Sequence, residues 1–489
     1  MVSLPARASV LLVAALSVAL VGGVSAPAFA TTSTGLKADL AAAGTTLITL
    51  DSDVTVADAS IPVNATNVVL DLAGFDLTTG NITLAAGVRL EIRSSIAGGS
   101  LTATAVAASG QAGITTRDAT LVITSGSVSG TGAVGVYGGA GIGSNGAASG
   151  FNNGTITING GTVTATGAAG AAGIGGGQNT SGSNVTVNGG TVTAQGGTNG
   201  AGIGGGSAGP GGTGDSYDLF FYGGTVTATG GTNGAGIGGG NQRPMQRLTI
   251  NGATVSATGG QDAAGVGSGA QSGTASDLMS FGTGAAITAT PGARTIVAGL
   301  APSAVGNGSN GSPSGFSLAG TLIANTLLFV YDSTTVATTG IIDGNAPLTG
   351  SGAITNNGAI RLTSVADAAV SPGGATITGN NYLVTFDTNA ADAVPATIAP
   401  IRVYATSFTL GNRTLPTPTR PGYVFAGWRT AGNVAVTSTS SLTANTTVLA
   451  QWSVPAALPA MGSNPAAPLL AGLAALLLGS LLLVRRRAA

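Results

Sequence analysis

Apolar and small polar residues alternate with a period of two along much of the chain, and the alternation is itself repeated. Between residues 153 and 260 one phrase is written four times, as ITINGGTVTATG, VTVNGGTVTAQG, LFFYGGTVTATG and LTINGATVSATG. The first three copies are followed by AAGIGGG or GAGIGGG and the last by AAGVGSG. Equivalent valines stand at Val128, Val163, Val192, Val226 and Val255, so the period runs 35, 29, 34 and 29 residues. A period of two places one apolar row on one face of a short strand and excludes a helix over this stretch. Glycine pairs between the runs mark sharp turns that need positive φ. Each period holds three runs, such as VTVNG, TVTAQ and AGIGG. Three parallel strands per coil are therefore predicted, stacked on the next coil with Val on Val, Thr on Thr and Ile on Ile. Each coil advances the stack by about 4.8 Å, and parallel crossovers wind right-handed. The pattern predicts an all-β chain built on a right-handed parallel β-helix, a solenoid. A propeller needs antiparallel hairpins and repeats of about 40 residues or more.

The regular repeat is the centre of a longer order. Residues 1–30 combine Arg7, an apolar run over 10–24 and the tripeptide Ala28, Phe29, Ala30, which reads as a secretory signal peptide cleaved before Thr31. Within 31–44, Leu36, Leu40 and Ala43 fall at helical spacing with Thr34 as N-cap and Gly44 at C′, predicting a short helix that plugs the open end of the solenoid. The β-helix is assigned to residues 45–270. Its early coils (TLITL, DVTVAD, NVVLDLAGFDL, NITLAAGVRLEIRSS) resemble the irregular coils of pectate-lyase-like β-helix surface proteins. Asp71 and Asp76 there read as turn and strand-end carboxylates. Over 271–380 the repeat decays into closing coils, with a Gly/Ser/Asn-rich stretch across 305–317 that reads as a loop or partial disorder.

Residues 383–453 read VTFDTN, then PTRPGYVFAGWRT, then SLTANTTVLAQW. These phrases in this order resemble the internalin-type B repeat, also called the Listeria-Bacteroides repeat, which implies a small β-grasp-like unit of a surface protein. Here Ala390 and Ala391 stand where that family has a glycine pair. Phe425, Trp428 and Trp452 are expected to form the core of a module with little else to bury.

Composition narrows the chemistry. Of 489 residues 84 are Gly and 7% are charged; Lys37 and Glu91 are the single Lys and Glu, and there is no His or Cys. Net charge is −1, so no basic footprint for nucleic acid is present. Disulfides, thiolate metal sites and Cys nucleophiles are excluded. The G-x-G-x-x-G spelled by residues 200–205 lacks the following helix that a dinucleotide site requires, and it recurs at 234–239, so it reads as solenoid corners. Calcium-binding nonapeptides are absent. Neither cofactor nor metal is expected.

Polysaccharide-cleaving β-helix enzymes need clustered carboxylates. In the regular coils the candidates are Asp215, Asp218 and Asp262, which the period could bring onto one flank one to two coils apart; solvated loop positions are the other reading. Phe220, Phe221 and Tyr222 replace the ITIN or VTVN run in one coil. Alternation points Phe221 opposite to its two neighbours, so at least one ring should face outward, where it could stack on a sugar. The other reading has a ring filling space beneath the loop at 207–214.

The last segment, 454–489, carries Leu458, Pro459, Ala460, Met461 and Gly462, then an apolar stretch over 468–484 and three arginines. This resembles the L-P-x-T-G cell-wall sorting signal of Gram-positive bacteria, which implies sortase cleavage between its fourth and fifth positions and transfer to peptidoglycan. Met461 stands where that family has Thr. The alternative is a retained membrane anchor, since about 17 apolar residues lie at the short limit for spanning and the arginines would hold the C-terminus inside. Either way, the chain is expected outside the cell, as a surface-anchored structural or adhesive protein whose partner is a glycan or another surface protein. A polysaccharide lyase or glycoside hydrolase on the same scaffold, and a passive wall spacer, are the alternatives.

Overall fold

The computed structural model describes residues 28–30, 32–42 and, with short interruptions, 45–455; the longer interruptions are 148–153, 209–217, 294–301, 363–375 and 405–414. The described residues divide into two compact units. The first is a solenoid of three parallel sheets. Sheet A has 14 strands, running from Ala28–Ala30 and Thr45–Leu50 to Thr376–Gly379; sheet B has 12, from Val54–Val56 to Ala359–Leu362; sheet C has nine, from Ile61–Val63 to Val305–Gly306. One coil visits them in turn, as in Val185–Val187, Thr191–Gln195 and Ile203–Gly204, before the chain returns to sheet A at Leu219–Phe221.

Register is residue on like residue. Val163, Val192, Val226 and Val255 form one inward row of sheet B, and Ala165, Ala194, Ala228 and Ala257 the next. All eight are at most 1% exposed and belong to a single continuous core. Sheet C is the tight side of each coil, with strands of two residues in the regular region. Its second residue is always glycine at Gly143, Gly175, Gly204, Gly238, Gly267 and Gly306, at φ between +115° and +146°. A Cβ on Gly238 would lie 1.9 Å from the Gly267 carbonyl oxygen, so no other residue fits between stacked coils there. At the corner between sheets A and B, Asn188 donates through Nδ2 to Oδ1 of Asn159 one coil away at 2.8 Å.

The N-terminal helix spans Ser33–Ala41 and buries Leu36 and Leu40, four residues apart on one face. Its cap differs from the expected one. Thr32, not Thr34, is the N-cap, its hydroxyl accepting from the Gly35 amide at 3.1 Å. The C-cap is Ala42 in extended conformation; Gly44, expected at C′, lies outside the described residues. Starting the helix at Ser33 gives it enough turns to seat both leucines, and an extended exit leads into the first full strand of sheet A. Ala28–Ala30, where cleavage was expected, pairs in parallel with Ile48–Leu50.

The expected loop over 305–317 is corrected at both ends. Val305–Gly306 stacks on Val266–Gly267 as the last rung of sheet C, and Phe316–Leu318 stacks on Met279–Phe281 in sheet A. Ala304, Val305 and Gly306 repeat the small-apolar-Gly rung of earlier coils, but a longer connection separates them from the previous one and hides the period.

The second unit is built on residues 386–398, 415–436 and 447 onward. The small mixed sheet at this end of the chain has the order Ile401–Val403, Tyr382–Asp387, Thr446–Ser453, Val424–Thr430, Ala435–Val436. Val424–Thr430 is antiparallel to its neighbours on both sides. Trp428 is 3% exposed, with Phe386 and Phe425 edge-on at 4.8 and 5.4 Å, and Phe425 meets Trp452 at 5.7 Å. Both indole N–H groups are satisfied, Trp428 by the Pro416 carbonyl and Trp452 by that of Thr388. The missing glycine pair is replaced by Asn389 at φ +52°, whose amide donates to Asp387 Oδ1. A short polar side chain thus carries the left-handed turn.

Candidate functional site

Outward positions of sheet A form a row made visible by register: Val122, Thr157, Thr186, Phe220, Thr249 and Ser280 follow one another from coil to coil. Phe220 is thus the one aromatic ring in a row made mostly of hydroxyls. Of the three adjacent rings, the structure separates one from two. Phe221 points inward and is fully buried beside Val187 and Ile250 in the ladder. It is removed as a sugar-stacking candidate because its period-two phase matches that of the core row. Phe220 is half-buried and Tyr222 is 48% exposed. Their rings are parallel to within 2°, with centroids 6.1 Å apart. The two rings stack on each other at the outer surface of sheet A.

Polar groups surround the pair. The Arg247 guanidinium lies 5.6 Å from the Phe220 centroid and donates through Nε to Asp218 Oδ1 at 2.6 Å. Both charged side chains are partly exposed. Asn188 and Asn251 occupy the Tyr222 position one coil to either side, since the Tyr222 amide bonds the Val187 carbonyl and the Asn251 amide bonds that of Phe221. Both asparagines are exposed. The result is a stacked aromatic pair edged by two amides, a guanidinium and a carboxylate, polar groups able to meet the hydroxyls of a sugar. Arg247, Asn188 and Asn251 were not singled out from the sequence. Arg247 follows Asp218 by 29 residues, one short period, and that spacing was the available signal.

Of the three aspartates, the two that are described, Asp218 and Asp262, are not brought together as an acid site. Asp218 stands at the entry to sheet A, bound to Arg247. Asp262 stands at the corner between sheets B and C, 1% exposed, at φ +62°, accepting from Ser309 Oγ at 2.8 Å. Its carboxylate braces a turn instead of facing a flank. Asp215 and the greater part of the loop at 207–214 lie outside the described residues, as do the sorting motif from Leu458 to Gly462 and the apolar tail. Asp71 accepts from the amides of Ala73 and Ser95 and from Arg93 Nε, and Asp76 accepts from Ser100 Oγ, both at strand ends. Among the described residues no three His, Cys, Asp or Glu side chains group as a metal site would require, and no helix is long and apolar enough to cross a membrane. Gly202, Ile203 and Gly204 sit on a sheet C rung, with no helix N-terminus behind them.

Comparison with known families agrees with both parts of the chain. Residues 382–451 match the Listeria-Bacteroides repeat domain. Beta helix repeats match at 156–178, 185–207, 222–241 and 248–270, and each of these segments takes in a sheet B strand and a sheet C rung. No curated protein and no solved structure is matched.

Proposed function

We propose that this β-helix repeat protein with a Listeria-Bacteroides repeat is a bacterial surface protein of adhesive, non-catalytic role, held at the envelope through its C-terminal segment. The solenoid presents the stacked rings of Phe220 and Tyr222 to glycans outside the cell. The observation that carries the glycan reading is the stacked, partly exposed ring pair edged by Arg247, Asp218 and two asparagines. Sugars offer apolar C–H faces to aromatic rings and hydroxyls to amide and charged edges, and this surface supplies both. The envelope reading rests on the Listeria-Bacteroides repeat together with the signal-like and sorting-like ends.

The test is retention of the protein on an array of plant, host and bacterial glycans, with simultaneous assay for new reducing or unsaturated ends. Retention that disappears in a Phe220→Ala, Tyr222→Ala double variant, without new ends, is expected. New ends would replace this reading with a polysaccharide lyase or hydrolase. Absence of both retention and cleavage would leave a passive spacer. Surface labelling of intact producing cells checks the location, and labelling only after lysis would refute it.

A further inference from the structure

Sheet B carries a second regular surface, on a different face from the aromatic pair. In four successive coils the outward positions are Thr162, Thr164, Thr166; Thr191, Thr193, Gln195; Thr225, Thr227, Thr229; and Thr254, Ser256, Thr258. Ten of these twelve are threonine, and the parallel register places each above its equivalent. The array continues with Ser127, Ser129 and Thr131 on one side and with Thr288 and Thr290 on the other. No outward position is charged or aromatic from the strand Ser100–Thr104 through Thr321–Ala324. Beneath it, the unbroken rows of Val and Ala give successive coils the same inward residues. Among the described residues none of these ten threonine hydroxyls has a partner within the protein.

The surface is therefore a neutral lattice of methyl and hydroxyl groups in register, repeating at about 4.8 Å along the solenoid and about 6.7 Å along each strand. Threonine is stiff at χ1, so both groups hold fixed positions. A lattice periodic in two directions matches a ligand periodic in two directions. A single glycan or peptide chain repeats in one direction only and leaves most rows unused. An ionic mineral demands charges that this face lacks. Crystalline polysaccharide would be met by aromatic platforms, and there are none here. Frozen water remains: its prism face repeats oxygen atoms at spacings close to these two, hydroxyls can enter its hydrogen-bond network, and bridging water bonds are nearly as favourable as direct ones. Methyl groups order the water between them instead of competing for its hydrogen bonds.

We propose that the threonine face of sheet B binds ice. This stands whether or not the chain is displayed on a cell, because the face acts in solution. The test is partition of the full chain into slowly growing polycrystalline ice, with the shape of single crystals grown in its presence as a second readout. Enrichment in the ice fraction and faceted crystals are expected. Thr193→Tyr with Thr227→Tyr, at exposed central positions, should abolish both, while Phe220→Ala with Tyr222→Ala should leave both intact. Exclusion of the unaltered chain from ice would overturn the proposal. So would equal enrichment of the double-tyrosine variant, or binding to crystalline chitin or cellulose in place of ice.

Discussion

Gly238 shows how little choice the tight side of a coil leaves. Its φ of +132°, and the Gly267 carbonyl oxygen only 1.9 Å from where a Cβ would sit, forbid a side chain twice over. Gly238→Ala should cost at least about 2 kcal/mol, combining backbone strain with displacement of a stacked coil. Stability in a solenoid is a sum over neighbours rather than one two-state value, so the measurement is hydrogen exchange. Faster exchange in sheet C at Ile203–Gly204 and Val266–Gly267, with little change at the N-terminal coils, is the expected result. Phe221 and its neighbours make the complementary point. Alternation in the sequence separated Phe221 from Phe220 and Tyr222, but it could not say which set faced inward. That followed from register with Val187 and Ile250, whose own burial is unambiguous.

At the scale of elements, strands were easier to read than ends. The N-terminal helix was legible from Leu36 and Leu40, but its expected N-cap, Thr34, lies inside the helix that Thr32 caps. The choice of Thr32 follows from where the helix must begin for both leucines to reach the core. Thr32→Ala should cost about 1 kcal/mol and raise exchange at the amides of residues 35–40, whereas Thr34→Ala should leave them unchanged. The strand Val305–Gly306 was hidden for the opposite reason. Two residues carry too little pattern to be seen once the spacing to the previous rung lengthens, although the same Val-Gly pair at 266–267 was easily seen inside the regular repeat.

On the scale of the whole molecule, the solenoid is modular. Fourteen strands in sheet A correspond to a stack of roughly 60 Å at about 4.8 Å per coil. Because Thr191 pairs with Thr225 in register, excising residues 192–225 joins Thr191 directly to Val226 and removes one coil without shifting any row. The shortened chain should retain β-sheet circular dichroism and protected amides in the remaining coils. It should lose glycan retention, since Phe220 and Tyr222 leave with the excised coil, and keep a threonine face one coil shorter. Aggregation, or loss of protection throughout, would show that coils are not interchangeable units. The C-terminal sheet obeys different rules: with few residues to bury, it relies on Phe386, Phe425, Trp428 and Trp452, and these aromatics were recognisable as core from their number and placement.

By itself the sequence determined that this chain is a parallel solenoid followed by a small aromatic-cored sheet. Alternation, glycine corners and a repeated phrase are local constraints that each coil must satisfy, and they need no knowledge of distant residues. Only the tertiary structure decided which outward side chains share a surface. Arg247 meets Asp218 and Phe220, Asp262 turns into a corner, and ten threonines form one lattice because coils 29 to 34 residues apart stack in fixed register. A surface assembled from successive turns of a solenoid has neighbours that lie far apart in the chain, and connections of unequal length conceal which residues those neighbours are.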